Sequence, residues 1–509
     1  MMHGHEKSDP SIVAMKWANE GEPPEESAEP REGAKENAEQ HGTRRTPRRE
    51  SVSHGLDRVR QAARTRRQER FTALLHHLDV EMLRSAYGWL RKEASPGVDG
   101  VTWDAYGADL ERKLEGLRDR VHRGAYRAQP SRRVFIPKPD GRQRPLGIAA
   151  LEDKIVQRAL VEVLNAIWEE DFLGFSHGFR PGRGQHDALD ALAAGITRCK
   201  VNWILDADIA GFFDTVSHDW LIRFVEHRVG DRRVVRLIRK WLKAGVMEDG
   251  AVTPATVGTP QGAVISPLLA NIYLHFVFDL WANQWRNRHA HGDVIIVRYA
   301  DDIVVGFERE ADATRFLAEM RERLAAFALT LHGEKTRLIR FGRFAAERRR
   351  ARGEGKPETF NFLGFTHICG RSRSGGFQLK RKSRRDRVRA RLAAIREELR
   401  RRRHRPIDEQ GSWLRQVVRG FFAYHAVPTN GAALAAFRYR VTDLWRRALR
   451  RRSQKDRMTW ARMTVIADRW LPMPRIAHPW PTDRFAVKHP RWEPYAGMPH
   501  VRFCAGGGR

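Results

Sequence analysis

Cysteine is nearly missing from this chain of 509 residues: Cys199, Cys369 and Cys504 stand apart and form no Cys-x-x-Cys pair. That count excludes a disulfide framework and a four-cysteine zinc site. No apolar run approaches the ~18 residues that a membrane-spanning helix needs. The first residues hold no apolar segment of secretory type, so a soluble protein of a reducing compartment is expected. Lysine is scarce as well, 16 of 93 basic residues, which leaves 77 arginines. Acids number only 62, and the net charge is +31. A hydrophobic fraction of 41% argues against a wholly disordered chain. The length allows a sizeable core and about three domains. A positive field of this size points to nucleic acid. Arginine suits RNA, since it grips phosphate bidentately and stacks on bases; high-GC codon usage gives the same bias.

The charge is unevenly spread. Residues 1–42 hold ten acids and four bases without apolar periodicity, and read as disordered. Residues 43–70 reverse the sign, with ten arginines against three acids, as a basic arm or a solvated helix would. Helical spacing of Leu74, Leu75, Leu78, Met82, Leu83, Tyr87 and Leu90 follows, broken by a loop at Ser95-Pro-Gly-Val-Asp-Gly100. Residues 131–150 read as a hairpin turning at Asp140-Gly141. Residues 151–168 read as a helix and 203–209 as a strand, with Ser217 as a helix N-cap. Two strands flank Ala300-Asp301-Asp302, and a helix runs from about 311 to 329. Residues 371–420 carry 18 bases and 5 acids, with helices over 383–403 and 412–424. The Pro- and Trp-rich end reads as irregular, and there is no internal repeat. The organisation expected is therefore a disordered acidic stretch (1–42), a basic arm with a helical extension (43–130), a central domain (131–370), a helical basic domain (371–470) and an irregular extension (471–509).

Two acidic sites stand out, Asp206-Ala-Asp208 at the end of an apolar strand and Asp301-Asp302 at a hairpin tip. Burying acids beside such strands is costly unless they are paired or hold a metal. Nucleotidyl transfer has use for them: two Mg²⁺ ions ~3.5–4 Å apart stabilise the attacking and leaving oxygens. Mg²⁺ takes oxygen ligands, which carboxylates from two strands supply. Asp206 and Asp208 point the same way on a strand, and spacing alone does not choose between them.

With its other motifs the chain resembles the reverse transcriptases of group II introns, the intron-encoded maturases, over roughly residues 71–470. The motifs stand in the family's order: Ser95-Pro-Gly-Val-Asp-Gly100, Arg144-Pro-Leu-Gly-Ile148, Ser176-His-Gly-Phe-Arg-Pro-Gly182, Asp206-Ala-Asp-Ile-Ala-Gly-Phe-Phe-Asp214, Gly258-Thr-Pro-Gln-Gly-Ala-Val-Ile-Ser-Pro267, Tyr299-Ala-Asp-Asp302, Lys335-Thr336 and Phe362-Leu-Gly-Phe365. The resemblance implies an α+β right-hand polymerase, with fingers and palm over 131–370 and a helical thumb over 371–470. It implies an RNA-directed DNA polymerase that uses deoxynucleoside triphosphates and two Mg²⁺, with Mn²⁺ as a substitute. Asp208, Asp301 and Asp302 would be the catalytic, metal-holding acids, and Asp206 a salt-bridged neighbour. Lys138 and Arg144 would hold the triphosphate, Phe213 would exclude a 2′-hydroxyl, and Gln261 would touch nucleotide or template. Arg180 and Lys335 would lie near the template–primer. In the thumb, Arg384, Arg385, Arg415 and Arg419 would meet RNA, while the stripe Trp413, Val417, Phe421 and Tyr424 would be helix core.

The partners so implied are intron RNA, an RNA template with a DNA primer, and target DNA, with no membrane and no zinc. A cytoplasmic, nucleoid-associated ribonucleoprotein of bacterial type is the setting expected. The chain departs from many family members in lacking the paired Cys-x-x-Cys motifs of a C-terminal His-Asn-His endonuclease, so no DNA cleavage by this polypeptide is expected. Three other readings compete: a maturase that assists splicing without polymerising, a reverse transcriptase recruited to host defence, and a plain DNA-binding protein. The intact carboxylates oppose the first, and intact Gln261-Gly262 and Ser266-Pro267 oppose the second.

Overall fold

A computed structural model describes residues 47–137, 143–248, 251–253, 257–259, 262–452 and 458–488. The acidic stretch 1–42 and the Asp140-Gly141 turn lie outside the described residues. The longer helices that come first are α1 (Pro47–Thr65), α2 (Val80–Gly88) and α3 (Leu110–His122). Asp79 caps α2 by accepting from Met82 N at 2.7 Å, which satisfies one of the free amides of the first turn. A hairpin of β1 (Ser131–Pro137) and β2 (Gln143–Ile148) leads into α4 (Leu151–Asp171). α4 is buried on most sides and forms the axis of the larger core. Leu56, Val59 and Ala63 of α1 pack into that core while Arg58, Arg60 and Arg64 stay exposed. The described part of the basic segment is therefore mostly a helix seated on α4, with Arg58, Arg60 and Arg64 turned outward.

α5 (Gln185–Arg198) precedes β3 (Trp203–Asp208), and α6 (His218–Arg228) and α7 (Arg232–Lys243) follow. Ser217 caps α6, accepting from Trp220 N at 3.4 Å. The short strands β4 (Val246–Glu248) and β5 (Ala251–Thr253) join the hairpin in a four-stranded sheet of order β2-β1-β4-β5. α8 (Ser266–Leu274) runs through a π-helical turn, His275–Asp279, into α9 (Leu280–Arg288). β6 (Val294–Tyr299), β7 (Asp302–Phe307), α10 (Glu310–Ala325) and β8 (Arg337–Arg340) complete the centre.

The central sheet has the order β6-β7-β3-β8 and is antiparallel throughout. Leu205, Ala207, Ile303 and Val305 enter the larger core on one face. Ile204, Ile295, Val297 and Val304 enter a second core on the other, against Ala188 and Leu192 of α5. A sheet covered on both faces needs apolar residues at every position, which is why these strands read as unbroken runs.

A three-stranded sheet of order β11-β10-β9 adjoins this second core: β9 (Phe360–Phe362), β10 (Phe365–Arg371) and β11 (Phe377–Ser383). The boundary expected at 370/371 thus cuts β10 from its partner β11. The helices of the segment expected as the thumb are α11 (Arg385–Arg401), α12 (Ile407–His425), α13 (Gly431–Arg450) and α14 (Trp460–Trp470). They close on a separate core of Leu399, Leu414, Val418, Phe437, Trp445 and Met463. The expected core stripe does pack: Phe421 stacks on Phe437, centroids 3.7 Å apart, and Tyr424 Oη donates to Leu363 O at 2.7 Å.

Within the described residues, the stretch expected as an irregular extension holds a helix. α15 (Pro481–Lys488) lies against α5. Arg484 reaches Asp190 of α5 at 3.2 Å, and Arg381 of β11 reaches its other oxygen at 3.0 Å. Among the described residues no helix is long and apolar enough to cross a membrane.

Candidate active site

The register of the central sheet sets Asp208 directly opposite Asp302. Directly opposed residues share a face, so both carboxylates leave the sheet on the same side. Asp206, two residues back, shares that face, is buried, and lies 3.9 Å from Arg337 of β8. β6 and β7 are joined by Ala300 and Asp301 alone, with Tyr299 paired to Asp302. Ala300 takes φ +56°, which a residue with a Cβ rarely adopts, so the turn is strained and held from outside. Lys335, just before β8, places Nζ 3.1 Å from Asp208 Oδ2. That lysine belongs to the carboxylate cluster itself.

What holds the turn is a buried guanidinium. Arg298 of β6 has no exposure, and all five of its side-chain N–H bonds are used. Two go to Asp279 Oδ1 and Oδ2 at 2.7 and 2.6 Å, one to Asn271 Oδ1 at 3.0 Å, one to Ser176 Oγ at 2.7 Å and one to Ala300 O at 2.9 Å. Burial pushes the Asp279 carboxyl above its ordinary range, and Arg298 opposes that rise. Residues 175–177 run alongside β6: Arg298 N donates to Phe175 O, and His177 N donates to Arg298 O, both at 2.9 Å. Gly178 then passes beneath the turn, where an added Cβ would come within 2.2 Å of Ala300 N. The motif Ser176–Gly182 is thus a footing for Ala300-Asp301.

Two further loops close on the site. Thr259 N donates to Phe213 O at 2.7 Å, so the Gly258 loop lies on the segment after β3. Gly262, at φ +103°, approaches Gly147 of β2, where a Cβ would meet Gly147 O at 2.8 Å. The loop at 95–100 is fastened to the hairpin and α4: Arg132 Nη2 donates to Pro96 O at 2.9 Å, and Lys154 Nζ to Ser95 O at 2.8 Å.

The structure sets Asp208 opposite Asp302 and beside Lys335, with Asp301 in the adjoining turn. Phe212 and Phe213 are both buried, Phe213 being the more exposed at 9%. Arg144 is placed by its backbone opposite Ile136, and Lys138 and Gln261 lie outside the described residues. Two arginines expected at RNA sit elsewhere. Arg180 is buried, and its guanidinium is taken up by Glu169 (2.9 Å), Leu173 O and Ser176 O (both 2.8 Å). It pins the footing loop and is not free to grip phosphate. Arg384 is buried against Asp386 and is likewise a structural tie. Arg415 is exposed, yet donates to Arg469 O at 2.8 Å and lies over the Trp470 ring. Arg385 and Arg419 are exposed, at the start of α11 and on the outer side of α12. Sequence reading missed Arg298, Asp279 and Asn271. The signal was present: a charge inside the run Val294-Ile-Ile-Val-Arg-Tyr299 has to find a partner.

Among the described residues no three His, Cys, Asp or Glu side chains stand close enough to form a ready metal cage. The donor set nonetheless fits Mg²⁺, which binds through one or two carboxylates plus substrate phosphates in preference to an all-protein cage. Asp208 and Asp302 on one face, with Asp301 in the adjoining turn, are hard oxygen donors of that kind. Lys335 beside Asp208 marks where positive charge is wanted.

Residues 136–367 match the family described as reverse transcriptase (RNA-dependent DNA polymerase). The chain is 38% identical over 278 residues to Protein YkfC of Escherichia coli K12, covering 48% of this chain and 72% of that one. It is 35% identical over 222 residues to the group II intron-encoded protein LtrA of Lactococcus lactis, covering 43% and 37%. It is 28% identical over 200 residues to nuclear intron maturase 4, mitochondrial, of Arabidopsis thaliana, covering 38% and 23%. The chain therefore spans well under half the length of the two intron-related proteins.

Proposed function

Because the chain belongs to the family of group II intron reverse transcriptases and maturases, we propose that it copies RNA into DNA and binds intron RNA to assist splicing. The observation that carries this reading is the pairing of Asp208 with Asp302 on one sheet face, beside the braced Ala300-Asp301 turn and Lys335. In the reaction the primer 3′-hydroxyl attacks the α-phosphorus of a deoxynucleoside triphosphate, and pyrophosphate leaves. Asp208 and Asp301 would hold Mg²⁺ with Asp302 assisting. Two such ions supply positive charge to the attacking and leaving oxygens.

The chain's own residues do the rest. Lys335 keeps Asp208 charge-balanced and offers a cation to arriving phosphate. Lys138 and Arg144 of the fingers hairpin orient the triphosphate, as fixed cations opposite its charge do. Phe213 bars a 2′-hydroxyl. Gln261 meets the nucleotide or template, a role supported by the contact of its neighbour Gly262 with the strand that carries Arg144. In splicing the chemistry is the RNA's, and the protein supplies charge neutralisation and a folded platform. Target DNA is the substrate of mobility.

The test is DNA synthesis on an RNA template with an annealed DNA primer in Mg²⁺, with Asp301→Ala beside the parent. Extension by the parent, none by the variant, and equal RNA binding by both is the expected result. A folded, RNA-binding parent that extends nothing overturns the polymerase and leaves the splicing cofactor. Its next assay is then RNA splicing.

A further inference from the structure

Two aromatic rings on the outside of the thumb take no part in its core. Tyr439 of α13 keeps 62% of its surface exposed, and Trp460 at the start of α14 keeps 39%. The rings are parallel to within 8°, with centroids 5.5 Å apart. Arg446 holds its guanidinium 4.4 Å from the Trp460 centroid and donates to Asp443 Oδ1 at 3.2 Å. Asp443 also pairs with Arg447 at 2.8 Å. Arg446, itself held by Asp443, thus braces Trp460, and Tyr439 lies parallel to it on the exposed side.

Its surroundings are cationic. Tyr439, Arg440, Asp443, Arg447 and Arg450 fall on one face of α13 at helical spacing. Arg440 and Arg450 are exposed and have no acidic partner among the described residues. Residues 431–452 hold seven arginines and one acid. An apolar protein face gains nothing from so many cations. A nucleobase brings a flat ring to stack and phosphates on either side, and single-stranded RNA is bound in this way by aromatic and arginine side chains. Inside a duplex the faces of a base are already covered by its neighbours, so the ligand is unpaired.

We propose that Tyr439 and Trp460 form a stacking platform for an unpaired base of bound RNA, with Arg440, Arg447 and Arg450 on the flanking phosphates. The proposal rests on the RNA-binding reading above and adds to it the kind of RNA feature taken and the place that takes it.

The full chain is titrated with a labelled single-stranded RNA of about 12 nucleotides, and with a blunt RNA duplex, over a series of KCl concentrations. Tyr439→Ala and Trp460→Ala should each weaken single-strand binding about 5- to 100-fold. The slope of log K against log salt should stay unchanged, because no phosphate contact is lost. Tyr439→Phe should bind as the parent does. Arg450→Ala should instead shallow the slope by about 0.7. Parent-like single-strand affinity in Tyr439→Ala overturns the platform, and an equal loss on the blunt duplex overturns the unpaired base. A change in sedimentation of the Tyr439→Ala protein alone overturns RNA in favour of a second copy of the chain. A parent with no RNA affinity brings down the underlying reading as well.

Discussion

Arg298 uses every N–H it has on partners from three separate stretches of chain, and one of those partners is the carbonyl of the strained Ala300. Its replacement by methionine leaves Asp279 buried and unpaired, which costs ~3–5 kcal/mol. Urea unfolding measures this, and parent-like stability in Arg298→Met would sink the brace. Ser176→Ala is milder: it leaves one guanidinium N–H unsatisfied, at ~1–3 kcal/mol. Gly178→Ala acts on geometry. A Cβ within 2.2 Å of Ala300 N has to push the turn aside. Displacing a reacting group by ~1 Å costs on the order of 10²-fold in rate, so primer extension should fall by that much while the fold survives. Extension at parental rate would show that the loop gives way instead. At this scale the sequence was half legible. Asp208, Asp301 and Asp302 are found by their motifs. The resemblance put Arg180 and Arg384 at RNA, whereas Glu169, eleven residues from Arg180, and Asp386, two residues from Arg384, close around their guanidiniums.

Among the elements, the π-helical turn His275–Asp279 is what aims Asp279 at Arg298. It also buries His275, whose ring meets Trp168, Phe172 and Phe276 edge-on. Burial first, then the nearby Arg298 and Arg180, push the His275 imidazole down to about 3. A histidine depressed in the folded state binds its proton more readily when unfolded. The stability it allows is therefore complete above its ordinary value of 6.5 and is lost as pH falls from there toward 3. At pH 5 the loss from this residue is ~2 kcal/mol. Urea midpoints at pH 7 and pH 5 should differ by that amount more in the parent than in His275→Phe, and equal differences would count against this assignment. Five of the eleven described strands were legible, β3, β6 and β7 among them as apolar runs, and Ser217 as a cap. The π-turn was not: it lies inside one continuous helical pattern, and only its packing against β6 distinguishes it. α15 was missed because a Pro- and Trp-rich stretch offers little periodicity. Its place is fixed by Asp190, nearly 300 residues earlier in the chain.

For the molecule as a whole, that contact makes α15 structural. Asp190 is buried, and burial raises its carboxyl above the ordinary range, which Arg381 and Arg484 oppose. Deleting residues 472–509, or replacing Arg484 by alanine, leaves one of the two cations and should cost ~1–3 kcal/mol in thermal unfolding. An unchanged midpoint in both proteins would mean that α15 only rests on the surface. The union of palm and thumb has a second basis. Val427 lies in the same core as Ile204 and Val304, Tyr424 holds Leu363 O, and β10 and β11 run across the expected boundary. The root of the thumb is therefore continuous with the sheet that carries the carboxylates. On the function proposed above, helices α11 to α14 would stand at a set distance from the primer end, like the jaw of a caliper locked at one opening, and the stretch of template shielded from nuclease would have a length fixed by the fold.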